Sequence, residues 1–195
     1  MPVLVVATGN PGKLKEMQAY LTHLDCELQL KPDDLEIEET GTTFAENACL
    51  KAAQVARALN TWAIADDSGL EVDALGGAPG IYSARYAQSD ADCIQRLLHE
   101  LEGEPNRSAR FVCVVAVARP DGTIAHQAEG ICAGEILHAA RGTGGFGYDP
   151  IFYVSDQQMT FAEMPPEIKH SISHRGHAFQ LLLPELSKLL QSEKP

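Results

Sequence analysis

The stretch from Ala109 to Cys132 constrains the fold more than any other part of the chain. Ala109 to Arg119 is a nearly continuous apolar run rich in valine, Pro120-Asp121-Gly122 follows, and Thr123 to Cys132 resumes a strand-like pattern. β-branched side chains suit a pleated, half-buried surface, and Pro-Asp-Gly reverses the chain tightly. The segment reads as an antiparallel hairpin, so any sheet that contains it is not wholly parallel.

The N-terminus predicts a different geometry. Val3 to Ala7 has the character of a buried strand, and Leu14, Met17, Leu21 and Leu24 then recur at three- and four-residue spacing, as one face of a helix does. Cys26 to Leu30 reads as a second strand, followed by a Pro32-Asp33-Asp34 turn and an acidic stretch with Glu36, Glu38 and Glu39. Thr43-Phe44-Ala45-Glu46 fits a capping box opening an alanine-rich helix to about Leu59. Ile64 and Ala65 lead into Asp66-Asp67-Ser68-Gly69, which is expected at the C-terminal end of a strand, where ligands of open α/β sheets bind. Residues 76 to 86 are too rich in glycine and proline for a regular element and are expected to shape a rim of the site. Ser89 to Leu101 is helical in pattern, and a closing helix from about Ser173 to Leu190 presents Phe179, Leu182, Leu183, Leu186 and Leu190 to the core. The expectation is an α/β fold with a mixed, partly antiparallel sheet, as a single domain over residues 1–195.

With 45% hydrophobic residues a chain of this length buries a full core without disulfides. Cys26, Cys49, Cys93, Cys113 and Cys132 lack metal-ligand spacing and are expected to be reduced and mostly buried. The net charge of −12 argues against a broad surface for nucleic acid or anionic membrane, since either polyanion is repelled. No apolar run reaches bilayer length and no basic leader precedes Val3, which predicts a soluble, cytoplasmic protein. Any phosphate it binds must meet a local cluster of cations, a helix N-terminus or a metal.

Four segments carry residues suited to such chemistry. Thr8-Gly9-Asn10-Pro11-Gly12-Lys13 joins the first strand to the first helix, where backbone N–H groups, the helix dipole and a lysine favour an anion. It is not a Walker A loop, because Ala7 and Leu14 stand where that motif needs glycine and serine or threonine. A tight turn with a solvated lysine explains the same residues. Asp66 and Asp67 repel each other unless a cation intervenes, and with Glu38 and Glu39 they offer the hard oxygen ligands that Mg²⁺ takes. A turn and a solvated acidic face are the alternatives. Gly142-Thr143-Gly144-Gly145-Phe146-Gly147-Tyr148-Asp149-Pro150 combines close backbone approach with rings on which a base stacks, or is a flexible loop with core aromatics. Lys169, His174 and Arg175 bracket the start of the last helix as possible donors to carbonyl or phosphate oxygens.

With these segments in view, the sequence closely resembles the inosine triphosphate pyrophosphatase family, the non-canonical purine nucleoside triphosphate pyrophosphatases, and its bacterial members above all. The resemblance covers nearly the whole chain. It rests on Ala7 to Lys13, Glu38-Glu39-Thr40-Gly41 with Thr43-Phe44 and Glu46-Asn47-Ala48, Ala65 to Leu70, Pro79-Gly80 with Ser83-Ala84-Arg85-Tyr86, Gly145 to Pro150, and Ser173-His174-Arg175.

The resemblance implies two lobes around a central cleft, a homodimer, and hydrolysis of ITP, dITP and XTP to a monophosphate and pyrophosphate. It implies metal ligands at Glu39 and Asp67, with Asp67 also the general base, and Mg²⁺ as cofactor. It implies substrate contacts at Thr8, Gly9, Asn10, Pro11, Gly12 and Lys13, at Ser68, at Phe146, Gly147, Tyr148 and Asp149, and at Lys169, His174 and Arg175. Lysine, arginine and protonated histidine only donate hydrogen bonds, which matches the C6 carbonyl of hypoxanthine and xanthine and not the amino group of adenine. Two other readings fit parts of the pattern: a pyrophosphatase for other modified or pyrimidine triphosphates, and a non-catalytic nucleotide sensor.

Overall fold

The computed structural model describes residues 2–192. The first strand, β1 (Val3–Val6), runs into helix α1 (Pro11–Leu21), and β2 (Glu27–Leu30) returns beside β1 in parallel, with Val3 opposite Glu27 and Val6 opposite Leu30. The helix ends at Leu21, so Leu24 lies beyond it and packs partly buried on the core. Helix α2 (Phe44–Leu59) begins at the expected cap: the Thr43 hydroxyl accepts from Glu46 N at 3.1 Å. The reciprocal bond differs by one residue, since the Glu46 carboxylate takes the N–H of Thr42 rather than that of Thr43.

Strand β3 (Trp62–Val72) corrects one expectation. Asp66-Asp67-Ser68-Gly69 does not end the strand; it forms its middle. The first three residues pair in parallel with Leu4–Val6 of β1, and the strand continues where β1 stops. Ala7 N donates to Ile64 O at 2.8 Å, after which the β1 chain leaves the sheet as the Thr8–Asn10 turn. Asp66 and Asp67 thus lie just past the carboxyl end of the parallel strands while still being held in extended backbone.

After β3 come two 3-10 turns, Asp73–Leu75 and Gly80–Arg85, so part of the region read as irregular is a short helix. Helix α3 (Asp90–Glu100) is capped by Ser89. The hairpin is present as β4 (Ser108–Ala118) and β5 (Ile124–Ile136). Arg119 N reaches Thr123 O at the turn and Ile136 N reaches Arg107 O at the far end, which makes the pair antiparallel. Strands β6 (Phe152–Val154) and β7 (Met159–Thr160) and helix α4 (Pro166–Ile172) follow, and α5 (His174–Ser192) closes the chain. The seven strands form one mixed sheet in the order β2-β1-β3-β4-β5-β6-β7.

The chain divides into two compact units, the first comprising residues 1–67, 113–130 and 175–195 and the second residues 68–112 and 131–174. Each has its own core. In the first, Leu4, Val6, Met17 and Ile64 pack with Val115, Val117, Phe179, Leu182, Leu186 and Leu190, which confirms the buried side read for the last helix, with Leu183 only partly buried. In the second, Leu70, Val72, Leu97 and Phe111 pack with Ile136, Phe152 and Phe161. All five cysteines are free thiols, and all but Cys49 are buried. Among the described residues, no helix is long and apolar enough to cross a membrane.

Candidate active site

Side chains alternate between the two faces of a strand, so the adjacent acids of β3 point in opposite directions and acquire different partners. The Asp66 side chain is fully buried in the first unit, and its Oδ2 accepts from Arg175 Nη2 at 2.9 Å and Nε at 3.2 Å, with Lys13 Nζ at 3.4 Å. Burial alone raises its pKa, but Lys13, Arg175 and Lys51 outweigh that and hold the carboxyl well below the usual range. Asp67 Oδ1 meets Lys51 Nζ at 3.1 Å, and the same ammonium meets Glu39 Oε1 at 2.9 Å. Burial pushes the Asp67 carboxyl up, and Lys51 and Lys13 reverse that only in part. Its second oxygen, Oδ2, is buried without a hydrogen-bond partner.

Lys51 was not singled out from the sequence, because a lysine in an alanine-rich helix reads as solvated. A signal was present. Asn47, Ala48, Lys51, Ala52 and Val55 form the buried stripe of α2, so Asn47 and Lys51 are polar residues at core-facing positions. Burial lowers the Lys51 pKa, but Asp67, Asp66 and Glu39 more than compensate and raise it, so the ammonium stays charged.

Glu39 reaches Lys51 because its loop is fastened to α2. Glu38 N donates to Gln54 Oε1 at 3.0 Å, Gln54 Nε2 returns a bond to Glu38 O at 2.8 Å, and Gly41 N donates to Asn47 Oδ1 at 2.9 Å. A Cβ on Gly41 would lie 2.6 Å from Asn47 Oδ1 and 2.7 Å from Glu46 Cβ, so only glycine lets the loop approach this closely.

At the start of α1 the arrangement differs from the expectation of free backbone donors. Asn10 is the N-cap, and its side-chain oxygen accepts from Gly12 N at 2.9 Å and Lys13 N at 3.1 Å, while Pro11 has no N–H to offer. Any grip on an anion here therefore falls to Lys13 and to the Thr8–Gly9 turn. Asn10 N is itself tied to Thr8 Oγ1 at 3.2 Å. A Cβ on Gly9 would meet nothing within 4 Å, so the chain's own packing does not require glycine there, and a ligand approaching the backbone would.

The second unit holds the Gly-aromatic loop, with Ser68 half-buried on β3. Asp149 organises the loop: its Oδ2 accepts from Phe146 N at 2.9 Å and from Lys169 Nζ at 2.6 Å. Gly145 has a φ of +72°, and a Cβ there would collide with the Asp149 carboxylate, so both conformation and space demand glycine. Gly147 N donates to Asp90 Oδ2 at 2.7 Å, and Tyr148 OH to Ser83 O at 2.9 Å. Lys169, on α4, lies 5.0 Å from the Phe146 ring centre and 5.4 Å from that of Phe161. The His174 ring stacks on Phe111 with centroids 4.6 Å apart and lies 6.1 Å from Phe161. Of the three donors read together from the sequence, Lys169 and His174 belong to this unit and Arg175 to the first.

The structure is a mixed α/β chain with two carboxylates gathered on one lysine in the first unit and, in the second, an aromatic loop held by a buried ion pair. The chain belongs to the Ham1 family, whose pattern matches residues 4–185. It is 67% identical over 190 residues to the dITP/XTP pyrophosphatase of Nostoc sp. (strain PCC 7120 / SAG 25.82 / UTEX 2576), covering 97% of each chain. It is 61% identical to the dITP/XTP pyrophosphatase of Synechocystis sp. (strain ATCC 27184 / PCC 6803 / Kazusa), covering 94% of each. Among solved structures it resembles a HAM1 protein from Coxiella burnetii, with a TM-score of 0.87 and 42% identity over 98% of this chain and all of that one. The fold class and family read from the sequence are those found.

Proposed function

We propose that this chain hydrolyses non-canonical purine nucleoside triphosphates, ITP, dITP and XTP, to the monophosphate and pyrophosphate by cleaving the α–β bond. The observation that carries the reading is the convergence of Glu39 and Asp67, from separate segments, on Lys51, with Asp67 Oδ2 buried and unpartnered. The one ammonium offsets only one of the two negative charges, and a net negative site with an unused carboxylate oxygen suits a further cation and the activation of water. A phosphate site without chemistry, as in a nucleotide sensor, does not require it.

The donor set fits Mg²⁺, which takes one or two protein carboxylates and completes its shell with water and phosphate oxygens. Among the described residues no group of three or more His, Cys, Asp or Glu side chains forms a metal cage. Glu39 and Asp67 would hold the ion, which when bound polarises phosphate oxygens and lowers the pKa of coordinated water. Lys13 supplies positive charge to the phosphates at the turn where Gly9 leaves space. Asp67, its carboxyl raised by burial, is poised to accept the proton of the attacking water through the oxygen that has no partner. In the second unit, the half-buried Phe146 ring offers a stacking face for a purine, and the Lys169 ammonium only donates, which favours a base with a C6 carbonyl.

The same reading takes the protein as a single functional domain working as a cytoplasmic homodimer, without nucleic-acid or membrane partners; light scattering on the purified chain tests the dimer. Pyrophosphate release from ITP, dITP, XTP, dUTP and ATP, with and without EDTA, tests the activity. Turnover of the first three that EDTA abolishes and Mg²⁺ restores is expected. Preference for dUTP would establish the pyrimidine reading instead, and absence of turnover with retained ITP binding would establish the sensor.

A further inference from the structure

Asn47, Lys51 and Gln54 stand at positions i, i+4 and i+7 of α2, so they form one stripe along the helix. Each holds a different residue of the segment that precedes the helix, and in reverse order: Asn47 holds Gly41, Lys51 holds Glu39 and Gln54 holds Glu38. Residues 35–41 form neither helix nor strand, and Glu38, Glu39 and Thr40 are exposed. The helix therefore supplies the order that this segment lacks.

The three rungs differ in kind. The Lys51–Glu39 rung joins two charges, and the Glu39 side chain is 31% exposed, so the pair by itself is a weak and salt-sensitive anchor. The rungs on either side join neutral amides to the backbone: Gly41 N reaches Asn47 Oδ1, and both backbone polar groups of Glu38 reach Gln54. Such bonds fix the path of the chain and leave the Glu39 carboxylate free to change partner. Asn47 is 1% exposed, and its Nδ2 is buried without a hydrogen-bond partner, which is unfavourable. Packing therefore does not explain the amide, whereas its bond to Gly41 does.

We propose that Asn47 and Gln54 are positioning residues for the metal: they clasp the backbone on both sides of Glu39 and hold its carboxylate within reach of the same cation as Asp67, whether Lys51 or a divalent ion balances it. The inference rests on the reading of Glu39 as a ligand of Mg²⁺ and adds what keeps that ligand in place. Ordering the segment in advance removes the cost of ordering it from the binding of the ion.

The test uses Asn47→Leu and Gln54→Met in the full-length protein, which keep roughly the side-chain size and remove the bonds, with Glu39→Gln for comparison. Three quantities are measured: hydrogen exchange at the Glu38 and Gly41 amides, binding of Mn²⁺ to the protein without nucleotide, followed by the paramagnetic resonance of the free ion, and the Mg²⁺ concentration for half-maximal ITP turnover. Each variant is expected to speed exchange at the amide it releases at least roughly tenfold. It should also weaken Mn²⁺ binding about three- to tenfold and raise the half-maximal Mg²⁺ in parallel, with a smaller fall in kcat once Mg²⁺ saturates. In a Glu39→Gln background Gln54→Met should add almost nothing to the loss of Mn²⁺ affinity, whereas general destabilisation acts in either background. Gln54 is only half-buried, so its variant carries the test if Asn47→Leu does not fold. Unchanged exchange at both amides, or faster exchange with Mn²⁺ and Mg²⁺ dependence unchanged, overturns the inference. If Glu39→Gln weakens Mn²⁺ binding and the clasp variants do not, the positioning inference fails alone. If Glu39→Gln itself leaves Mn²⁺ binding unchanged, the metal reading of Glu39 fails first, and the inference with it.

Discussion

The two units solve the same electrostatic problem in opposite ways. In the first, charges are distributed: Asp66 and Asp67 take separate faces of one strand, and Lys13, Arg175 and Lys51 together compensate these two acids and Glu16 and Glu39. In the second, a buried ion pair, Asp149 with Lys169, sits among the rings of Phe146 and Phe161, with His174 stacked on Phe111. Handling a triphosphate requires several charges that respond together as negative charge shifts. Selecting a base requires few charges, held rigidly against flat apolar faces, because a misplaced donor discriminates only when water is excluded. On the proposed function, the shared network serves the chemistry and the concentrated pair serves the selection.

The sharpest way to break that comparison is to remove the acid of the concentrated pair. Asp149→Ala leaves Lys169 buried without this carboxylate and frees the Phe146 N–H, so a loss of about 3–5 kcal/mol of stability is expected, read as a large fall in the midpoint of thermal or urea unfolding. A change below about 1 kcal/mol would show that the second unit also shares its charges. In the first unit, Asp67→Asn should keep the fold, because the neighbouring ion pairs remain, and lower kcat by at least roughly 10²-fold at saturating Mg²⁺. Near-normal turnover would remove Asp67 from the chemistry. Phe146→Ala tests the selective side more gently: losing one stacking face should raise KM for ITP by about tenfold and leave kcat nearly unchanged. An equal fall in kcat would make the ring part of the chemical step. The smallest effect is expected at Asp90, an exposed residue whose carboxylate holds the Gly147 N–H. Asp90→Ala should raise KM for ITP by a factor on the order of two to five, with faster hydrogen exchange at the Gly147 amide. Unchanged exchange would show that the loop keeps its shape without this anchor.

How far the sequence reveals such features depends on how local they are. Helix α2 was legible from its Thr43 cap to Leu59, and the β4–β5 hairpin from its Pro-Asp-Gly turn, because caps, turns and periodicity act within a few residues. Strand β3 was read as ending at Asp66 because Asp-Asp-Ser-Gly has turn chemistry, and the neighbouring strand that keeps it extended is remote in sequence. Helix α4 was not anticipated: Pro165-Pro166 looks like a break, although Pro166 in the first helical position is favourable there. The candidate site divides in the same way. Thr8 to Lys13, Asp67 and the Gly145–Asp149 loop stand out because their residue types are unusual in strands and helices. Lys51, Glu16 and Asp90 look like ordinary helix residues, and only their partners mark them.

The sequence by itself determined the first strand and helix, helices α2 and α3, the β4–β5 hairpin and the closing helix, and that acids, a lysine turn and an aromatic loop coexist in one chain. The tertiary structure alone decided the pairing: that Asp66 and Asp67 part to opposite faces, that Lys51 rather than Lys13 gathers Glu39 and Asp67, and that Arg175 is tied to Asp66 and Glu16 while His174, its neighbour in the chain, stacks on Phe111. Local propensities act over three or four residues, whereas an ion pair depends on the distance between atoms that folding brings together from positions as far apart as 16 and 175.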